Sequence, residues 1–246
     1  MLVLKSSLLN RYPEVIFGFS TKIGLKRHHP YFFNMSLSVQ DSRENVLQNR
    51  RYFFRRLGLT ESSVAIQKQI HGDNIKFIDD GISCGESDAM ITDKPNLGLA
   101  ISSADCPTIF LFDVEKKVIA AVHSGWRGTD KKILLKVLTK LVQDFNSKPN
   151  NIVAYIAPSI SQKHYEVGEV VASLFDEKYS IKKNPKYLLN LQSINRDIML
   201  KFGLLKKNIQ ASSLCSHEKE DILHSYRRDG IVSGRAFGVI AMKTKS

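Results

Sequence analysis

Three polar segments interrupt apolar runs near the middle of the chain, and they carry the residue types that do chemistry. Gln69-Ile70-His71-Gly72 sets a histidine beside a glycine. Ser103-Ala104-Asp105-Cys106-Pro107 forms a polar corner between two apolar stretches, and His123-Ser124-Gly125-Trp126-Arg127-Gly128-Thr129 follows a third. Two imidazoles and a thiolate are good Zn²⁺ ligands, so His71, Cys106 and His123 would leave a fourth position for water or substrate. Such a site makes a nucleophile near neutral pH or polarises a bound group. The separations of 35 and 17 positions match no short zinc motif, so spacing leaves two other assignments open. Cys106 can be a nucleophile with His123 as base and Asp105 as orienter. Alternatively, all three can be ordinary loop and core side chains.

The segment from His123 to Thr129 has its own chemistry. Gly125 and Gly128 allow tight backbone turns, Thr129 can cap a following helix, and Arg127 offers a rigid fork for phosphate beside a helix N-terminus. Farther along, Arg227 and Arg228 beside Tyr226 in Ser225-Tyr226-Arg227-Arg228-Asp229-Gly230 can hold phosphate or stack on a base; a plain solvated loop has the same composition. Asp105 is available as a proton-transfer partner.

Rigid elements must present these loops. Leu97 to Ser102, Thr108 to Phe112 and Val118 to His123 are apolar runs of strand length, separated by the polar corner and by the turn Asp113-Val114-Glu115-Lys116-Lys117. Short strands at 64–66 and 75–78 flank the His71 loop. Apolar residues at 134, 138, 141 and 145 predict a helix over 133–145. Another helix is expected over 42–57, capped by Asp41 with Glu44 three residues on. After Pro149 come a strand at 152–156, helices at 169–177 and 192–202, and a closing strand near 236–242. Strands and helices mix without strict alternation, which points to an α/β (α+β) layered sandwich with mixed β-sheets. No repeat or linker divides residues 1–246, so one domain is expected.

Composition narrows the functional classes. Hydrophobic residues make up 43% and charged residues 24% of the 246-residue chain, the ordinary globular mix. No apolar run approaches the roughly 18–20 residues that span a bilayer, and the N-terminal apolar block is too short for a secretory signal. A cytoplasmic protein without a membrane partner is the expectation. Net charge is +12, but residues 1–60, 61–130 and 131–246 carry +7, −5 and +10 respectively. The acidic third holds the three polar segments, which weighs against nucleic acid as the partner. Three cysteines, Cys84, Cys106 and Cys215, form no disulfide framework. The composition leaves the oligomeric state open.

Taken in order, QIHG, SDAMIT (87–92), SADC, AAVHSGWRGT, IAPSI (156–160), YEVG (165–168), SYRRDG and SGR (233–235) resemble the YfiH family. Its members were formerly called multicopper polyphenol oxidases or laccase-like proteins and are now described as purine nucleoside phosphorylases. The resemblance runs from about Gly18 to Ala241. It implies a layered sandwich related to bacterial toxin-type cysteine hydrolases, and zinc held by His71, Cys106 and His123. A His/Cys donor set binds Cu²⁺ more tightly than zinc, so copper can occupy the same site. The resemblance further implies phosphorolysis of adenosine, inosine and methylthioadenosine, with purine nucleoside and phosphate as small-molecule partners, plus deamination of adenosine. Within that reading Asp105 and Arg127 are the expected catalytic residues and Arg227 and Arg228 the expected phosphate ligands. Cys84 and Cys215 are expected to take no part in metal binding. Two alternatives accompany it. One is a cysteine hydrolase that edits a peptidoglycan precursor. The other is a copper oxidoreductase acting on phenols, which the sequence disfavours because none of its seven histidines stands in a His-x-His pair.

Overall fold

The computed structural model describes residues 1–80 and 83–244, the side chains of 83 and 84 excepted. The expectation about Cys84 as a ligand therefore lies outside the described residues. Two six-stranded sheets, each mixing parallel and antiparallel neighbours, carry the structure. One runs in the order Val3–Leu4, Val15–Ser20, Ala236–Met242, Gly98–Ser103, Val64–Lys68, Ser83–Glu86; we call it the first sheet. The second runs Ile209–Ala211, Ile152–Ile156, Thr108–Asp113, Val118–His123, Ala89–Thr92, Ile75–Phe77.

Apolar faces decide how these layers stack. Phe17, Leu99, Ile101 and Ile240 of the first sheet pack against Phe110, Phe112, Ile119 and Tyr155 of the second. The rings of Phe17 and Phe110 meet edge to face at 5.0 Å, a favoured aromatic geometry. The opposite face of the second sheet, with Ile109, Leu111, Ala120 and Val122, is covered by the helices Ile133–Phe145 and Leu191–Phe202. The helix Arg43–Arg56 covers the outer face of the first sheet through Phe53 and Phe54. The result is an α+β sandwich of four layers. Strands buried on both faces need apolar residues at every position, which is why Thr108–Asp113 and Val118–His123 read as unbroken runs and are buried throughout.

Several local expectations change. Ser42, not Asp41, occupies the N-cap of the first helix; the Asp41 carboxylate instead accepts from the Ser42 N–H and the Asn34 amide. The helix expected over 169–177 stops at Ala172, and Asp176 caps a separate 3-10 turn. Val170 is 81% exposed, so the apolar spacing there meets no core. Thr129 does not cap the helix at 133. It lies inside a short helix, Trp126–Asp130, and its hydroxyl donates back to the Ser124 carbonyl. A small third sheet, Glu166–Val167, Lys186–Leu189 and Ser180–Lys183, packs through Val167 and Leu189 beside Trp126 and Tyr165. Among the described residues no helix is long and apolar enough to cross a membrane.

Candidate metal centre

The chain passes three times from the first sheet to the second, and two of these crossings contribute a donor each. His71 lies between the strands Val64–Lys68 and Ile75–Phe77. Cys106 lies between Gly98–Ser103 and Thr108–Asp113, and His123 ends the strand Val118–His123. One ligand atom from each comes within 4.8 Å of the other two. The imidazoles of His71 and His123 meet edge to face at 4.8 Å. The three residues that sequence spacing left unconnected thus share one cup.

A carboxylate that sequence reasoning missed arranges the cup. Asp88 is fully buried, and its Oδ1 lies 2.8 Å from His123 Nδ1. The same carboxylate accepts the backbone N–H groups of Ile70, His71 and Gly72 at 3.2, 3.0 and 2.7 Å. This suits His71, which sits in the left-handed region at φ 57° and needs its turn held from outside. Burial alone would raise the Asp88 carboxyl. The hydrogen bonds from His123 and from the Gly72 and Ile70 N–H groups outweigh it and hold the carboxyl below its ordinary range. With Nδ1 engaged, His123 turns Nε2 toward the Cys106 sulfur. The sequence signals for Asp88 were an acid placed directly before the apolar run Ala89–Thr92 and its place in the SDAMIT segment of the family resemblance, neither of which gave it a role.

Burial also pushes the Cys106 thiol up, but the His123 charge and hydrogen bonds from both histidines bring it down to about 6. For His123, burial acts downward while the Cys106 thiolate and the Asp88 hydrogen bond carry it up to about 9. The pair is therefore a thiolate facing an imidazolium. Gly125 lets the backbone pass over the cup: a Cβ there would stand 3.0 Å from Cys106 Sγ and 3.6 Å from His71 Cδ2. Donor set, thiolate character and a carboxylate-oriented histidine all suit a zinc ion held by three protein ligands. Cys215 is buried elsewhere, accepting the Ser161 N–H on its sulfur.

The remaining expected site residues divide. Asp105 adopts φ 94° and has both carboxylate oxygens occupied: Oδ1 accepts from the Ser216 hydroxyl at 2.6 Å and Oδ2 from the Arg227 N–H at 2.7 Å. It ties the Cys106 corner to the loop after Cys215 and to the short helix Tyr226–Asp229. As orienter of His123 it is replaced by Asp88. Arg127 is exposed and lies over the Trp126 ring at 4.2 Å, its guanidinium without an acceptor among the described residues. Arg227 lies over Tyr165 at 5.2 Å and donates from Nη1 to the Glu166 and His164 carbonyls. Tyr165 is near enough to the Cys106 thiolate that this charge, after burial, raises its phenol well above the ordinary value.

Arg228 does not match its expected role. Its Nε and Nη2 donate to the Asp229 carboxylate, Nη2 also to the Leu223 carbonyl, and Nη1 to the Ser216 and His217 carbonyls. Five donors are thereby occupied, and none remains for phosphate.

The chain is thus a layered α+β sandwich with a His–Cys–His cup beside the crossings between its two large sheets. The chain belongs to the family described as "Multi-copper polyphenol oxidoreductase laccase", which matches residues 16–243. It is 30% identical to the Bacillus subtilis protein named "Purine nucleoside phosphorylase YlmD" over 94% of this chain and 89% of that one. It is 29% identical to the Escherichia coli "Purine nucleoside phosphorylase YfiH" over 85% and 87%. The crystal structure of a Bacillus licheniformis hypothetical protein YfiH superposes with a TM-score of 0.89 at 28% identity, covering 94% of each chain. YlmD from Geobacillus stearothermophilus shares the fold at a TM-score of 0.89 and 24% identity, covering 97% of this chain and 94% of that one.

Proposed function

We propose that the protein is a zinc-dependent purine nucleoside phosphorylase acting on adenosine, inosine and methylthioadenosine, with adenosine deaminase activity at the same cup. The observation that carries this reading is the convergence of His71, Cys106 and His123 within 4.8 Å. Relatives named purine nucleoside phosphorylase, aligned over most of their length, support the substrate class.

A zinc ion held there supplies a concentrated positive charge that stabilises negative charge developing on the substrate. The chain's own residues do the rest. Asp88 keeps His123 Nδ1 engaged, so that only Nε2 faces the cup. Asp105, with both oxygens accepting, positions the Arg227 helix beside the Cys106 corner. Arg127 and Arg227, each laid on an aromatic ring, present N–H groups to a phosphate dianion at the mouth. The family's oxidase description finds less support: among the described residues, the one metal-capable group is His71–Cys106–His123.

The test is to incubate purified protein with adenosine and phosphate and to follow adenine, hypoxanthine and inosine. Products above a His71→Ala control are expected, and their absence would sink the reading. A second reading, a cysteine hydrolase, is favoured by the Cys106–His123–Asp88 line, which has the order of nucleophile, base and orienter. Activity that persists in rigorously metal-free protein, with an acyl group trapped on Cys106, would select it instead.

A further inference from the structure

Arg235 was not among the expected site residues, yet the strand register brings it to the cup. Ala236 pairs with Ser103 and Phe237 with Ser102 in antiparallel register. Continuing that register sets Arg235 across from Ala104, next to Asp105 and Cys106. Its side chain is half-buried and feels the charges of Asp105 and Cys106. The guanidinium lies over the Tyr226 ring at 5.3 Å, on the same short helix whose first turn Asp105 holds.

The backbone that carries Arg235 is fixed from several sides. Its N–H donates to Asn34 Oδ1 at 2.9 Å, and its carbonyl accepts from the Met35 N–H at 2.9 Å. Gly234 packs so closely that a Cβ would stand 2.5 Å from the Tyr31 carbonyl and 2.6 Å from His224 Cε1. His224 is held neutral there: burial presses it down to about 3. Nη1 donates to the Ser233 and Gly234 carbonyls at 2.6 and 3.0 Å. Nε and Nη2 have no acceptor among the described residues. A guanidinium placed on rigid backbone, stacked on a ring and left with one edge free is preorganised for a bidentate oxyanion.

We propose that Arg235 is a phosphate ligand of this site, filling the role expected of Arg228, and that with Arg127 and Arg227 it makes an anion subsite of three ring-stacked guanidiniums around the cup. This rests on the phosphorolysis reading for the identity of the oxyanion. The geometry distinguishes the three from Arg228, whose donors are all occupied.

Zinc-loaded protein should be titrated calorimetrically with inorganic phosphate, and phosphorolysis of inosine followed with phosphate varied. For Arg235→Gln we expect phosphate affinity to fall, and the KM for phosphate to rise, by about tenfold or more, because one charge-assisted bidentate contact is lost. The KM for inosine should move far less. Arg235→Lys keeps the charge without the fork and should fall between. An unchanged phosphate affinity and KM in folded Arg235→Gln or Arg235→Lys, with the wild type active, overturns this inference and leaves the phosphorylase reading standing. A wild type that neither binds phosphate nor cleaves inosine overturns both.

Discussion

Asp88 is the residue on which the cup depends most, although it contributes no donor atom. Its carboxylate sets the His123 ring and closes the His71 turn through three N–H groups. An asparagine in its place has one oxygen to accept with, so the turn and the ring cannot both be held. Asp88→Asn should therefore lower zinc affinity about 10- to 100-fold, as loss of a carboxylate behind a ligating histidine generally does. Competition with a chromophoric chelator measures this. The same assay carries a pH signature. In metal-free protein Cys106 titrates at about 6 and His123 at about 9. Between those values the pair holds one proton, on His123, and metal must displace it. From this pair, affinity should rise about tenfold per pH unit from about 6 to about 9, more steeply below, where Cys106 also binds a proton, and level off above. A flat profile across that interval would contradict the thiolate–imidazolium assignment. None of this coupling was visible in the sequence. Asp88 precedes a strand and Arg235 ends a polar turn, and at those positions acids and arginines are commonly solvated.

At the scale of elements, legibility followed burial. Ile133–Phe145, Ile152–Ile156 and Ala236–Met242 match the expected spans because one apolar stripe, or two buried faces, dictates their residues. Val15–Ser20 lies between two strands of the first sheet yet went unread; Gly18 breaks its apolar run. The pair Ser180–Lys183 and Lys186–Leu189 is lysine-rich, and Ile181 is 55% exposed, so no alternation marks it. The donors at 71, 106 and 123 were linked by family resemblance and not by spacing, because their proximity arises from sheet crossings and not from one local element. The turn into the helix Trp126–Asp130 supplies a further test. In Gly125→Ala the new methyl would press on the Cys106 sulfur at 3.0 Å. Overpacking of that kind costs about 1–3 kcal/mol. We expect zinc affinity to fall by about tenfold or more while the far-ultraviolet dichroism stays native; unchanged affinity would show that the loop yields without disturbing the cup.

For the whole molecule, the core is complete without any ion. The two sheets and their covering helices bury separate apolar clusters, none of which includes His71, Cys106 or His123. Chelation should therefore leave a cooperatively folded protein. The loss is limited to the binding linkage, about 2.7 kcal/mol for metal at one hundred times its dissociation constant, or roughly 5–11 °C in melting temperature for a chain of this size. Scanning calorimetry with and without chelator reads this directly, and outright unfolding would mark the site as structural. One arrangement gives the reverse dependence. Two of the donors sit where the backbone steps from sheet to sheet, and the third ends a strand of the second sheet. The fold can dispense with the ion, but the ion cannot dispense with the fold's alignment. Any change in how the sheets stack, however far from the cup, reaches two donors together, so the cup works as a vernier, a fine scale that reads a small slip between two larger rules.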